Sequence, residues 1–328
     1  MQMAGVKNWF TGESLPYPVA DTAIAPGSFL VAEPLLVADR APSSSPWSRP
    51  LWTEDRIAVT DGLWGEGFGS PGGESEILRD IRPLGIAGGA SLLLVGAGAG
   101  GPAIAIARQL GALVSGFEAD PALAASAAGR VGRSGLGKRM QIGTWDPGRP
   151  VFPLGAYHHG LALEPLGGVH AEPVLAAIAA AVRPGGQLIL LQTIADLPLH
   201  PAEAGLAGGE APDLPTEASI TRMLGRLGFE VRAMEDLSER QAHLAVLGWR
   251  DAVRRLNKER PPPPLAALLM QEAEAWSQRL DLFRLGRLRL LRWHANRKGV
   301  SVVATPPSHP GMAAPMAAPM AARVAASG

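Results

Sequence analysis

Residues 92–101 read Leu92-Leu93-Leu94-Val95-Gly96-Ala97-Gly98-Ala99-Gly100-Gly101, an apolar run that breaks into glycines. Such a turn brings backbone close to a ligand where a Cβ would collide, which points to Gly96, Gly98, Gly100 and Gly101 as binding positions. Pro102 then opens an Ala/Ile-rich segment, a favourable first helical residue because it has no N–H to satisfy. A helix N-terminus behind a glycine turn offers free N–H groups and partial positive charge to an anion or polar ligand. The next apolar run, Ala112 to Phe117, ends in Glu118. A carboxylate there can accept hydrogen bonds from two sugar hydroxyls. The chemistry expected is therefore nucleoside binding. Gly96-x-Gly98-x-x-Gly101 also satisfies the dinucleotide fingerprint, which leaves a nicotinamide cofactor and an oxidoreductase open at this point.

The elements that must hold these residues alternate regularly. Strands are predicted at 91–95, 112–117, 139–143, 159–163, 187–193 and 228–234, and helices at 74–83, 102–110, 121–132, 171–182 and 216–227. Strand then helix, repeated, means an α/β protein with a mostly parallel, doubly wound sheet. Arg183-Pro184-Gly185-Gly186 stops one helix and turns into the strand that follows. Residues 236–283 are helical and amphipathic around Pro261–Pro264, with Leu265, Leu268, Leu269, Ala273, Trp276 and Leu280 at helical spacing. Arg287 to Trp293 roughly alternates, as an edge strand does, and its arginines suggest a solvated sheet face. The adjacent His158 and His159 should face opposite sides of a strand. No further ligand stands at metal-binding spacing, so no metal site is expected.

The chain has 328 residues, 47% of them hydrophobic, which suffices for a large core. Lys+Arg and Asp+Glu balance at 30 each, so neither nucleic acid nor an anionic membrane is the expected partner. There is no cysteine, which excludes disulfides and thiol nucleophiles and suits the cytoplasm. No apolar run has membrane-spanning length, and the N-terminus lacks a secretory pattern. Residues 1–50 read as an irregular extension, 51–300 as the folded domain, and 301–328 as a low-complexity, disordered tail.

Upstream of the first strand, Trp52-Thr53-Glu54, Trp64-Gly65-Glu66, Phe68-Gly69-Ser70 and Gly72-Gly73 form a spaced set. With the glycine turn and the strand at 228–234, this set resembles the class I S-adenosylmethionine-dependent methyltransferases. More narrowly, residues 51–235 resemble the small-molecule methyltransferases related to phosphoethanolamine N-methyltransferase. The resemblance implies a Rossmann-like sheet of seven strands whose C-terminal strand, at 285–293, is antiparallel and lies between 187–193 and 228–234. It implies S-adenosylmethionine as cofactor and a small-molecule methyl acceptor, with the helices at 236–283 shaping the acceptor side. Ser70 then caps the methionine end, Gly96 and Gly98 belong to the glycine loop, Glu118 binds ribose, Asp146 lies near the adenine amine, and Glu164 is the acid past the fourth strand.

The departures are specific. Leu94 stands where the family has an acid two residues before the first glycine, and His158 where an aspartate opens the fourth strand. The tyrosine and histidine that phosphobase enzymes place over the amine are Trp52 and Gly168 here, so the phosphobase reaction is not expected. His170, two residues on, is the catalytic base candidate. Trp52, Trp64 and Phe68 are candidates for an aromatic lid or for packing. Three readings follow: a methyltransferase, a degenerate relative that binds a ligand or partner without turnover, and the oxidoreductase. An all-parallel sheet would favour the last. Oligomeric state is not legible.

Overall fold

The computed structural model describes residues 6–7, 14–15, 52–167, 170–199, 203, 214–258 and 260–299. Seven strands form one sheet: β1 (Ser91–Val95), β2 (Leu113–Glu118), β3 (Met140–Thr144), β4 (Tyr157–Leu163), β5 (Val182–Ile194), β6 (Phe229–Asp236) and β7 (Arg289–Arg297). Their order is β3-β2-β1-β4-β5-β7-β6. The first five run parallel, and β7 is antiparallel to both neighbours. The expected reversed strand is thus where it should be, and the sheet is not the all-parallel one of an oxidoreductase.

Successive strand residues point to opposite faces, and β1 shows the consequence. Leu92 and Leu94 enter one core with Leu161 and Ile189, while Leu93 and Val95 enter the other with Ala162, Leu188 and Leu190. A parallel strand with helices on both faces is apolar throughout. The first core is covered by α2 (Gly73–Ile81) and α3 (Gly101–Leu110), the second by α5 (Ala171–Ala181) and α6 (Glu217–Arg226). α4 (Pro121–Arg133) starts where Asp120 accepts from the Ala122 and Leu123 N–H groups and Pro121 supplies a preset φ.

Three further helices make a cap: α1 (Glu54–Trp64), α7 (Ser238–Leu256) and α8 (Pro263–Arg284). Trp64 meets Trp249 edge-on at 6.2 Å and Trp276 at 5.2 Å. Gly248 makes room for this: a Cβ there would lie 2.4 Å from the Trp64 ring. Arg56 Nε bonds Glu272 Oε1 at 2.5 Å, joining α1 to α8 through a pair whose side chains are only 2% and 3% exposed.

Several sequence expectations change. α1 was not expected, because Arg56, Ile57, Val59, Thr60, Leu63 and Trp64 are all buried and leave no single apolar stripe. Its Thr53 cap and the acids Glu54 and Asp55 were the available signal. β5 begins at Val182, and Arg183–Gly186 is a bulge within it: Tyr157 faces Val182 but His159 faces Gln187. The arginine run is not an edge. β7 is interior, and Arg289 pairs with Asp196, Glu217 and Asp236 while Arg292 pairs with Asp80 and Glu235. Within residues 1–50, read as irregular, Val6–Lys7 pairs antiparallel with Ser14–Leu15. The rest of that segment, and 301–328, lie outside the described residues.

Candidate active site

The expected site residues emerge at the C-terminal ends of the parallel strands: the glycine loop after β1, Glu118 closing β2, Asp146 after β3 and Glu164 after β4. β1 sits between β2 and β4, so this is the switch point at which open α/β sheets leave a crevice.

Three of the four loop glycines are demanded by the protein's own packing. A Cβ on Gly96 (φ +79°) would lie 2.2 Å from the Leu163 carbonyl oxygen. On Gly100 it would meet Ala127 Cα at 3.0 Å, and on Gly101 the Gly67 carbonyl carbon at 2.7 Å. Gly98 differs. Its φ is +57°, and the nearest atom to a Cβ would be 4.0 Å away. Gly98 is therefore the loop position that faces open space. The first N–H of α3, from Gly101, is already donated to Gly67 O at 3.0 Å. Gly67 in turn donates to Asp61 Oδ1 at 2.7 Å, and Arg130 of α4 grips both Asp61 oxygens. The α1–α2 connection is thus clipped onto the glycine loop.

Glu118 is turned toward that loop. Its Oε2 accepts the Gly98 N–H at 2.7 Å, and its Oε1 accepts those of Ala119 at 2.8 Å and Asp120 at 3.0 Å. Burial pushes its pKa up, and the three backbone bonds offset that in part. A carboxylate has about four lone-pair sites; two on Oε1 and one on Oε2 are used, which leaves Oε2 open to a further donor. Asp146 is exposed, and its Oδ1 accepts the Gly148 N–H at 2.8 Å. Beside it, Trp145 packs on Phe152 at 5.6 Å with its buried Nε1 unpartnered.

Leu163, whose carbonyl lies against Gly96, also lines a cavity of about 70 Å³. Its polar lining is Ser70, Glu76, Asp80, Glu164 and Gln241. Glu164 is the single non-glycine residue at positive φ (+50°) among the described residues, a strain that persists only when neighbours hold it. They do: Thr193 N–H donates to Oε2 at 2.8 Å, the Thr193 hydroxyl to Oε1, and Arg279 Nη2 approaches Oε1 at 3.3 Å. Arg240 forks onto Glu76 at 2.6 Å to each oxygen. Asp80 is 2% exposed, with Arg79 at 3.2 Å and Arg292 at 3.4 Å, both on Oδ1. Burial, then the nearby Glu76 charge, nevertheless hold its pKa up at about 7.

The other expected residues stand apart. His170 is the exposed N-cap of α5 and is not part of the cavity lining. Leu94 is fully buried in the core, and Gly168 lies outside the described residues. Trp64 and Phe68 are core residues; Trp52 is half-buried, with the Arg56 guanidinium 4.1 Å over its ring. His158 sits at the opposite end of the sheet, where Ser91 N–H donates to Nδ1 at 3.1 Å and Arg183 lies 2.9 Å from Nε2. Burial lowers the pKa of its neighbour His159. No group of side chains suited to a metal ion occurs among the described residues. Asp80, Glu76 and Gln241 escaped the sequence reading. The one available signal was a carboxylate at 80 between Ile77 and Ile81 on the apolar face of α2.

No family model and no curated protein matches the sequence. Solved structures do match its fold. A phosphoethanolamine N-methyltransferase 2 of Haemonchus contortus, in complex with phosphomonomethylethanolamine and S-adenosylhomocysteine, aligns with TM-score 0.63 at 17% identity, over 75% of this chain and 58% of that one. The chain therefore spans less than two thirds of that enzyme. A Galdieria sulphuraria protein provisionally assigned as a sarcosine dimethylglycine methyltransferase aligns with TM-score 0.61 at 12% identity, over 75% and 99%. The [4+2]-cyclase SpnF aligns with TM-score 0.56 at 18% identity, over 75% and 93%. The fold is that of the class I S-adenosylmethionine-dependent methyltransferases. Among structures of this fold, it resembles the phosphoethanolamine N-methyltransferases and others. No helix among the described residues is long and apolar enough to cross a membrane.

Proposed function

We propose that this protein binds S-adenosylmethionine and transfers its methyl group to a small-molecule acceptor. The observation that carries the reading is the Glu118 carboxylate against the Gly98 N–H, at 2.7 Å, at the switch point of a methyltransferase sheet. The fit is supported by Gly98 itself, the loop position with free space beside it. Glu118 would hold the ribose through the open site on Oε2, Asp146 would meet the adenine amine, and Ser70, on the cavity wall, would cap the methionine end. Gly96 and Gly100 would support the loop from behind, and Glu164 would shape the boundary between cofactor and acceptor. The sulfonium supplies an already activated methyl carbon, so what remains for the chain is alignment and exclusion of water. The acceptor of the phosphobase enzyme is not carried over: Trp52 replaces the expected tyrosine, and among the described residues the cavity lining contains no cationic residue for a phosphate.

Leu94 supports a second reading, binding without turnover, because the acid expected there is replaced by a buried apolar side chain. Calorimetric titration with S-adenosylhomocysteine tests both readings at their common step. Wild-type protein should bind, and Glu118→Ala should weaken binding about 30-fold or more, the loss of a hydrogen bond to a charged group. Unchanged affinity refutes the ribose role, and no binding to the wild type refutes the function. Binding without methyl transfer to any acceptor leaves the second reading.

A further inference from the structure

Two buried side chains on the cavity beside the glycine loop carry hydrogen-bonding atoms that no described residue uses. Gln241 is 9% exposed and lines the cavity, and its side-chain amide makes no hydrogen bond among the described residues. Neither of its amide atoms is sealed from solvent, so both are open to a hydrogen-bonding partner in the cavity that Gln241 lines. Asp80 is the second. Both arginine contacts fall on its Oδ1, and no hydrogen bond reaches Oδ2 among the described residues. The other carboxylates are occupied: Arg240 holds both oxygens of Glu76, and Thr193 and Arg279 hold Glu164. Among the described residues, no Lys, Arg or His lines the cavity.

Resting on the methyltransferase reading above, we propose that this cavity receives the amine end of a small acceptor lacking an anionic group beside its nitrogen. Gln241 and Asp80 are its hydrogen-bond partners, and Asp80 is the proton acceptor. An amine suits the lining better than an alcohol because its several N–H donors can reach both Asp80 Oδ2 and the Gln241 carbonyl, whereas a hydroxyl donates once. A phosphate beside the nitrogen would face Glu76, Asp80 and Glu164 with no cation on the wall among the described residues. The volume of about 70 Å³ admits the reacting end of the acceptor only.

The step balances. An alkylammonium gives one proton to Asp80, and the freed nitrogen lone pair attacks the methyl carbon. The N–C bond forms as the C–S bond breaks, and that electron pair stays on sulfur, whose charge is cancelled. The positive charge then rests on the methylated nitrogen, and Asp80 returns its proton to solvent after product release. Asp80 is surrounded by Glu76 and Arg79 on α2, Arg292 on β7 and Glu235 on β6, with Arg240 of α7 behind Glu76. With burial holding the carboxyl near 7, kcat should rise as pH increases through that value.

The test uses the full chain, tritiated S-adenosylmethionine and matched probes: benzylamine, N-methylbenzylamine, ethylamine, benzyl alcohol, ethanol and phosphoethanolamine. Label should enter the amines at least ~10-fold faster than the alcohols or phosphoethanolamine, the discrimination expected when buried polar groups are left unpaired. Asp80→Asn should lower kcat by ~100-fold or more and abolish the pH limb, while S-adenosylhomocysteine affinity stays within about twofold. Gln241→Leu should raise KM for the amine by ~10-fold with kcat little changed, and it carries the test if Asp80→Asn does not fold. A preference for alcohols or phosphoethanolamine, no transfer to any amine, or an unaltered pH limb in a folded Asp80→Asn variant overturns this proposal alone when S-adenosylhomocysteine still binds. If it does not bind, the methyltransferase reading falls and this proposal with it.

Discussion

From Gly96 to Glu118 the proposed cofactor site is one carboxylate held by backbone; from Ser70 to Gln241 the cavity is lined by side chains held by other side chains. In the first region the contacts are N–H groups of Gly98, Ala119 and Asp120 on one carboxylate, within a short stretch of chain. In the second, Asp80, Glu164 and Gln241 come from α2, the end of β4 and α7, and the arginines behind them from α2, α7, α8 and β7. The difference matters for how each region can change. A backbone site depends on a few glycines and a sheet register, and it tolerates little. A side-chain site depends on ion pairs brought together by packing, and its ligand can change with one residue. On the proposed reading, the same division would separate a cofactor half that a fold can share from an acceptor half that each protein rebuilds.

The sharpest way to break the comparison is to loosen the cap that supports the second region. Glu272→Ala removes one partner of the buried pair with Arg56 and should cost about 3–5 kcal/mol, read as a lower denaturation midpoint. S-adenosylhomocysteine affinity should survive in the protein that remains folded. Asp80 gives a pH-dependent counterpart. Its folded-state pKa lies above the unfolded one, so the native state holds the proton longer and stability falls as pH rises from about 4 to about 7. Relative to Asp80→Asn, wild type should lose up to about 4 kcal/mol over that window, measured as midpoints at both ends. A difference between the two proteins that does not fall with pH would show that the Asp80 pKa is not raised, the arginines beside it having offset its burial.

Within the backbone region the glycines should separate. Gly96→Ala forces a Cβ against Leu163 O and should cost about 3 kcal/mol, whereas Gly98→Ala meets only the left-handed backbone penalty of about 1 kcal/mol. Gly98→Ala should instead weaken S-adenosylhomocysteine binding, measured by calorimetry. Equal stability losses would erase the distinction between supporting and ligand-facing glycines. At the small end, Arg226→Ala breaks an exposed pair with Glu172 and should change stability by less than about 0.5 kcal/mol. A larger loss would mean that surface pairs contribute as the buried ones do.

The parts legible beforehand were those whose signal is local. Leu92 to Gly101 announces strand, turn and helix in one stretch, and Asp120-Pro121 announces a helix start. The place of β7 came from resemblance, and its register confirms it. α1 was missed because a helix buried on several sides shows no periodic stripe. The arginines of β7 were misread because charge looks solvated until its partners are known, and Asp80, Glu217 and Asp236 lie far from Arg289 and Arg292 in sequence.

By itself, the sequence determined the alternating sheet, the glycine turn and the carboxylate that follows it, since backbone geometry is specified by residues close along the chain. Only the tertiary structure decided which glycine faces open space, which buried carboxyl titrates near neutrality, and which amide has no partner among the described residues. Those properties depend on desolvation and on atoms that packing brings together from distant segments, and no spacing along the chain encodes them.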